Sequence, residues 1–270
     1  MTSMLALQDV NVHGAGLGSV PDGRVEVGGI RRRAVSDLEV IIPAFNEAGR
    51  LPLTLRRTVE FLGVQPWRSR VVVVDNGSVD DTAGVVWRFA DGLDGAVPVE
   101  VVGCARPGKG AAVRRGLLSS TSRFVGFFDA DLATPVETLT AAMGHLQQGT
   151  TAVIGSRHVV GASFVRPQPL GRRAGGAVFR VLARGLVRGV HDTQCGFKFF
   201  DRDAAVRALV QCQTTGFAFD VELLWRIQCD GGSIVEVPVA WTDDARSTFH
   251  PVRDGLSSFG AVLQMQRYGR

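Results

Sequence analysis

Two carboxylates one residue apart, Asp129 and Asp131, close an apolar run, Phe124-Val-Gly-Phe-Phe128. A short apolar run that ends in charge is the pattern of a buried strand emerging at the edge of an open α/β sheet, where such sheets keep their ligand crevices. Paired hard oxygen donors on a chain leaving a strand suit Mg²⁺ or Mn²⁺, ions that take one or two carboxylates and complete their shells with substrate phosphates. The same spacing fits a solvated turn, so the weight falls on the surrounding chain.

Other polar residues follow apolar runs in the same way. Asn46 and Glu47 come after Leu38–Ile42, and Asp75 and Asn76 end the run that begins at Arg70. Parallel strands point their C-terminal ends one way, which would gather all six polar residues at one edge as a nucleotide pocket with a metal at its floor. Asp75 suits a base imide or ribose hydroxyl, with a helix N-cap as the alternative. Arg106-Pro-Gly-Lys-Gly110 lets the backbone approach a phosphate or sugar, with Lys109 as the contact or as a solvated loop lysine. It is no Walker A loop, because residue 110 is glycine where a hydroxyl is required.

The elements that position these residues alternate. Strand patterns over 38–42, 70–75, 99–103, 124–128 and 151–155 are separated by helical ones over 50–62, about 82–90, 110–120 and 135–148. That alternation predicts right-handed βαβ crossovers and a doubly wound, mostly parallel sheet. Later come a short strand over 197–200, helices over 203–210 and 219–228, and a strand over 233–241 expected to run antiparallel. Residues 172–190 carry apolar residues broken by arginines, the pattern of a surface helix or of one lying in a membrane interface. The domain plan is a flexible leader over 1–36, one α/β domain over 37–250 and a C-terminal helix over 251–270 that caps the core or touches lipid. The Gly14–Gly18 cluster follows no strand and is no dinucleotide loop.

Composition excludes some classes. Of the 30 basic residues only Lys109 and Lys198 are lysines, against 26 acids. The cations are spread along the chain without aromatic interleaving, which argues against nucleic acid. Cys104, Cys195, Cys212 and Cys229 form no C-x-x-C pair and follow no secretory signal, so reduced thiols and a cytoplasmic location are expected. No apolar run reaches the ~18 residues of a membrane span.

Seven segments now fall into one order: Pro43-Ala-Phe-Asn-Glu47, Val74–Ser78, Gly108–Ala112, Asp129-Ala-Asp131, Gly155-Ser-Arg157, Asp192-Thr-Gln-Cys-Gly-Phe-Lys198 and Phe217–Leu223. On these the chain resembles the family 2 glycosyltransferases of GT-A fold, and within them the dolichyl-phosphate β-glucosyltransferase and polyprenyl-phosphate sugar transferase branch. The resemblance implies a nucleotide-sugar donor such as a UDP-hexose, a Mg²⁺ or Mn²⁺ cofactor, and a lipid phosphate or small-molecule acceptor, with peripheral contact at the inner face of the cytoplasmic membrane. It implies that Pro43, Phe45, Glu47, Asp75 and Asn76 frame the nucleoside. Asp129, Ala130 and Asp131 would meet the diphosphate and, through the two acids, the ion, with Lys109 near the donor. Arg157, Lys198 and Asp220 become catalytic candidates. Arg157, His158 and Glu222 fall on the acceptor side, where Trp241 could flank the acceptor or belong to the core. Asp220 is the base for a hydroxyl acceptor, or an N-cap of its helix. Two departures stand out: Asn76 replaces an aspartate common in the family, and Ala133 stands where some polyprenyl-phosphate mannosyltransferases supply a glutamine to the metal.

Overall fold

The computed structural model describes residues 36–95, 97–164, 183–216, 218–242, 260–262 and 265. The strands are β1 (Leu38–Ala44), β2 (Ser69–Asp75), β3 (Val99–Gly103), β4 (Phe124–Phe128), β5 (Ala152–Ser156), β6 (Ser163–Phe164), β7 (Phe197–Asp201), β8 (Ile234–Pro238) and β9 (Ala240–Trp241). The helices are α1 (Leu51–Gly63), α2 (Thr82–Asp91), α3 (Lys109–Ser119), α4 (Thr138–Gln147), α5 (Arg202–Gln211) and α6 (Phe219–Cys229). Seven strands form one sheet in the order β3-β2-β1-β4-β7-β5-β8, and β6 pairs with β9.

Period-two patterning sends alternate residues of each strand into two separate cores. Leu38, Val40 and Ile42 pack with Leu51 and Leu55 of α1, Val86 of α2 and Leu139 and Met143 of α4. Ile41, Val72, Val125 and Phe127 pack on the other face with Val113 and Leu117 of α3, Leu209 of α5 and Leu224 of α6. Helices therefore cover both faces of the sheet, as the alternation predicts.

One strand direction differs from expectation. The late strand β8 runs parallel to β5, and the reversed strand is β7, antiparallel to both β4 and β5. The reversal matters for the site. Phe197, the first residue of β7, pairs with Phe128, the last residue of β4, so the segment leading into β7 arrives beside Asp129. Running opposite to β7, β5 delivers Arg157 to the same edge.

The leader expected over 1–36 lies, but for its last residue, outside the described residues, as do residues 172–182 of the arginine-rich segment. The described remainder of that segment turns Ala183, Leu186, Val187 and Val190 into the core. Of the residues expected to form the C-terminal helix, Val262 and Met265 are described and pack in the same core.

Candidate active site

The turn after β4 presents the acid pair. The backbone N–H of Asp129 donates to the carbonyl of Gly196 at 3.0 Å, locking the tip of β4 to the entry of β7. Gly196 admits the carboxylate: a Cβ at 196 would stand 2.0 Å from Asp129 Oδ2. Ala130 is buried, and its carbonyl accepts the Thr54 hydroxyl of α1 at 2.6 Å. Asp131 Oδ1 accepts the Ala133 N–H at 2.9 Å, a local turn that lets Leu132 take a φ of 51°. Burial and then the neighbouring Asp129 charge raise the Asp131 carboxyl above its ordinary range.

Lys109 opens α3 and lies with Nζ 2.6 Å from Asp129 Oδ1. Burial works against its charge, but the attraction of Asp129, Asp220 and Asp131 outweighs it and holds the ammonium protonated above the usual lysine range. The loop before it is fixed by Asn76. The amide Nδ2 donates to the carbonyls of Cys104 and Arg106 at 3.2 and 2.7 Å, and Oδ1 accepts the Gly108 N–H at 2.8 Å. Gly108 has a φ of 113°, and a Cβ there would stand 2.6 Å from the Thr215 carbonyl, so only glycine fits against the 212–216 loop.

The ends of β1 and β2 lie alongside, in register from Leu38–Ser69 to Ala44–Asp75. Pro43 is half-buried in β1 and Phe45 just beyond it is 50% exposed, an open ring surface at the crevice. The loops after the two strands are stitched together: Asn46 N–H donates to Ser78 Oγ at 2.9 Å, Glu47 N–H to Thr82 Oγ1 at 2.9 Å, and Val79 N–H to Asn46 Oδ1 at 2.9 Å. Asp75 Oδ1 accepts the Ser78 N–H at 3.1 Å, a turn closure and not the N-cap alternative. Burial raises the Glu47 carboxyl although Arg50 donates to both its oxygens at 2.9 and 2.8 Å.

On the far side of β4, Arg157 donates through Nε and Nη2 to Asp192 at 2.7 and 2.9 Å, and through its backbone N–H at 3.0 Å. The guanidinium carbon is also 5.3 Å from the Trp241 ring centroid. Glu236 supports the pair from β8, accepting the N–H groups of Asp192 and His191 at 2.9 and 2.8 Å. His158 stands on the exposed side with its ring centroid 6.2 Å from that of Phe164, which in turn meets Trp241 edge-on at 6.1 Å. Trp241 is therefore half-buried in an aromatic cluster around the arginine.

Lys198, fully buried, lies 3.0 Å from Asp220, which is itself buried at the start of α6. The ammoniums of Lys198 and Lys109 lie 5.5 and 5.9 Å from the Phe127 ring centroid. Two ion pairs, Lys109–Asp129 and Lys198–Asp220, thus bring their ammoniums to one ring and link the acid pair to the segment where catalysis was expected. Asp220 makes no side-chain cap to its own helix. Glu222 differs from expectation: its carboxylate accepts the N–H groups of Gln213 and Thr214 at 2.9 and 2.8 Å and the Thr214 hydroxyl at 2.6 Å. It holds the 212–216 loop against α6 and is not free to meet an acceptor.

The donor set fits a hard divalent ion. Two carboxylates sit on the one turn after β4, and the Lys109 ammonium already occupies a cation position on Asp129. Among the described residues no group of three or more His, Cys, Asp or Glu side chains is placed to hold a metal, so the remaining ligands would come from phosphate and water.

The Glycosyl transferase family 2 profile matches residues 39–209. The chain belongs to that family. The transferase is 32% identical to the dolichyl-phosphate beta-glucosyltransferase of Dictyostelium discoideum over 240 residues, 85% of this chain and 73% of the relative. It is 34% identical to the enzyme of the same name from Mus musculus over 227 residues, 79% of this chain and 70% of that one. Its fold matches that of glucosyl-3-phosphoglycerate synthase from Mycobacterium tuberculosis, crystallised with Mn²⁺, UDP-glucose and phosphoglyceric acid, with a TM-score of 0.62 at 20% identity over 85% of this chain and 79% of that one. The transferase therefore has the GT-A architecture. No described helix is long and apolar enough to cross a membrane.

Three parts of the transferase site escaped sequence reasoning. Asp192 and Glu236, which orient Arg157, are separated from it by 35 and 79 positions in the chain, and only the sheet order joins them. Thr54 offers no local signal at all. Asn76 carried a signal, an amide where an acid is common, whose meaning needed the loop geometry.

Proposed function

We propose that the protein is a metal-dependent, inverting hexosyltransferase that moves glucose from UDP-glucose to a polyprenyl or dolichyl phosphate at the cytoplasmic face of a membrane. The observation that carries the donor half is the convergence of the β1, β2 and β4 ends, with Asp129 and Asp131 opposite the Lys109 ammonium. The acceptor half is supported by relatives at 32 and 34% identity whose names specify both dolichyl phosphate and glucose.

A divalent ion held by Asp129 and Asp131 would stabilise the negative charge that builds on the departing diphosphate. Pro43, Phe45, Glu47, Asp75 and Asn76 border the nucleoside, Ala130 places its backbone beside the diphosphate, and Lys109 adds positive charge there. An acceptor phosphate oxygen attacks the anomeric carbon from the opposite side. The new carbon–oxygen bond forms as the bond to UDP breaks, and the configuration inverts. Arg157, oriented by Asp192, supplies charge on the acceptor side, with His158 beside it. A phosphate acceptor is already ionised at neutral pH and needs orientation, whereas a hydroxyl needs a base. Asp220, ion-paired with buried Lys198 at 3.0 Å and with an Oδ1 that accepts no hydrogen bond, stands as the base for a hydroxyl acceptor.

The test is transfer of labelled glucose from UDP-glucose, with Mn²⁺, to dolichyl phosphate in vesicles. Wild-type protein is expected to yield glucosyl lipid, and Asp131→Ala to lower the rate by about 10²–10³-fold, the usual cost of losing a group that stabilises developing charge. Undiminished turnover in Asp131→Ala would overturn the metal assignment. Transfer to a soluble phosphoglycerate and none to lipid would move the acceptor into the soluble class.

A further inference from the structure

We infer that Lys109 is the resident counter-ion of the acid pair, occupying the Asp129 oxygen that a divalent ion needs and leaving it when metal and diphosphate arrive together. The inference rests on the reading of the site as a metal–diphosphate pocket, and adds how that pocket loads.

The two partners differ in freedom. Asp129 carries a short side chain on an anchored backbone: its N–H is bound to the Gly196 carbonyl at 3.0 Å, and its Oδ2 packs against Gly196, 2.0 Å from where a Cβ would stand. Lys109 sits at the first turn of α3 behind the Asn76-held loop, but its ammonium rides on a four-carbon stem with freely rotating bonds. The pair at 2.6 Å can therefore be broken by moving the lysine, and the carboxylate need not turn.

The released ammonium has somewhere to go. It shares the Phe127 ring with Lys198, the ion-pair partner of Asp220. A diphosphate would offer a second anion on the same side.

A metal ion arriving alone gains two carboxylates but must displace a cation held by one of them, leaving Lys109 among fewer acids. A metal ion arriving with a diphosphate brings ligands for itself and a new partner for Lys109. Metal and diphosphate must then bind with positive coupling, and by linkage the coupling is the same in either order of addition. Lys109 is a source of that coupling, separable from any direct contact with the sugar.

The chain has only two lysines, which makes the wild-type protein its own reporter. With lysine labelled at Cε with ¹³C, one of the two signals is expected to shift when Mg²⁺ and UDP are added together and to be the signal missing from Lys109→Met. If neither signal moves while calorimetry shows Mg²⁺ and UDP bound, the inference is overturned. In parallel, Mn²⁺ is titrated with and without UDP into wild type, Lys109→Met and Lys109→Arg, following the free-ion signal. Lys109→Met is expected to bind Mn²⁺ alone about tenfold more tightly than wild type, a shift of about 1.4 kcal/mol, and to show a smaller gain from UDP; Lys109→Arg should keep the weak wild-type affinity. Equal or weaker Mn²⁺ binding by a folded Lys109→Met overturns the inference and leaves the metal site standing. Failure of wild type to bind Mn²⁺ even with UDP would overturn the metal site itself and this inference with it.

Discussion

The side-chain oxygen of Asn76 accepts the Gly108 N–H at 2.8 Å while the amide nitrogen donates to two carbonyls of the same loop. Only an amide can do both. An aspartate, the residue common at this position in the family, has no hydrogens for the carbonyls of Cys104 and Arg106 and would face them with like charge. Asn76→Asp is expected to destabilise the protein by about 0.5–1.5 kcal/mol, the net worth of a hydrogen bond at a partly exposed site. Because Lys109 follows Gly108 directly, the donor KM should rise as well. Thermal melting and donor kinetics check both, and a variant unchanged in either would show that the clamp is idle.

Gly196 lies against the carboxylate of Asp129. Gly196→Ala places a Cβ 2.0 Å from Oδ2 and 2.4 Å from Cγ, so Asp129 must move. Its side chain is 36% exposed, which gives it room to swing outward. The expected stability loss is therefore at the low end of the about 1–3 kcal/mol typical of overpacking. A misplacement on the order of 1 Å at reacting groups can cost about 10²-fold in rate, and the metal-dependent turnover of Gly196→Ala should fall by that order. A large drop in melting temperature with activity intact would reverse this reading.

How much of this was legible follows from how far each relationship reaches along the chain. β1 to β5 and α1 to α4 announce themselves through apolar period and turn residues, which are local. The convergence of Glu47, Asp75 and Asp129 needed only the rule that parallel strands point one way. The direction of β8 was misread because alternating burial describes a one-sided strand of either sense. The strand that does reverse, β7, is a short run of Phe, Lys and Phe whose period says nothing about direction. Glu222 was misread for a similar reason: two residues from Asp220 on a helix, it points to a different loop, and a spacing of two does not put side chains on one helical face.

The four cysteines separate cleanly by environment. Burial pushes the Cys195 thiol up to about 11 and the Cys212 thiol up to about 12, the latter with help from Glu222. Cys229 is exposed and Cys104 partly so. Since the thiolate is the reactive form, a thiol reagent at pH 8 is expected to label Cys229 and Cys104 in the folded protein and to reach Cys195 and Cys212 only on denaturation. Mass spectrometry of labelled peptides reads this directly, and rapid modification of Cys195 in the folded protein would contradict its place beneath the site.

The Arg157–Asp192 pair bears on stability and, in the proposed function, on the acceptor side, and the two can be separated. Arg157 outweighs burial and holds the Asp192 carboxyl down to about 2, whereas in the unfolded chain it titrates at about 3.9. A depressed carboxylate stabilises the fold fully above its unfolded value, and that contribution is lost as the pH falls from there through about 2. Asp192→Asn keeps the shape but leaves the guanidinium without its counter-charge, and it is expected to cost about 3–5 kcal/mol at neutral pH. It should also flatten the decline in stability on acidification between the two values. Replacing both partners, as Arg157→Met with Asp192→Leu, should recover most of the stability, since buried pairs exchanged for apolar groups are often neutral. Glucosyl transfer should not recover with it, because the phosphate partner is gone. Denaturant melts across pH beside transfer assays decide the matter, and a double variant that regained both would remove Arg157 from the acceptor side altogether.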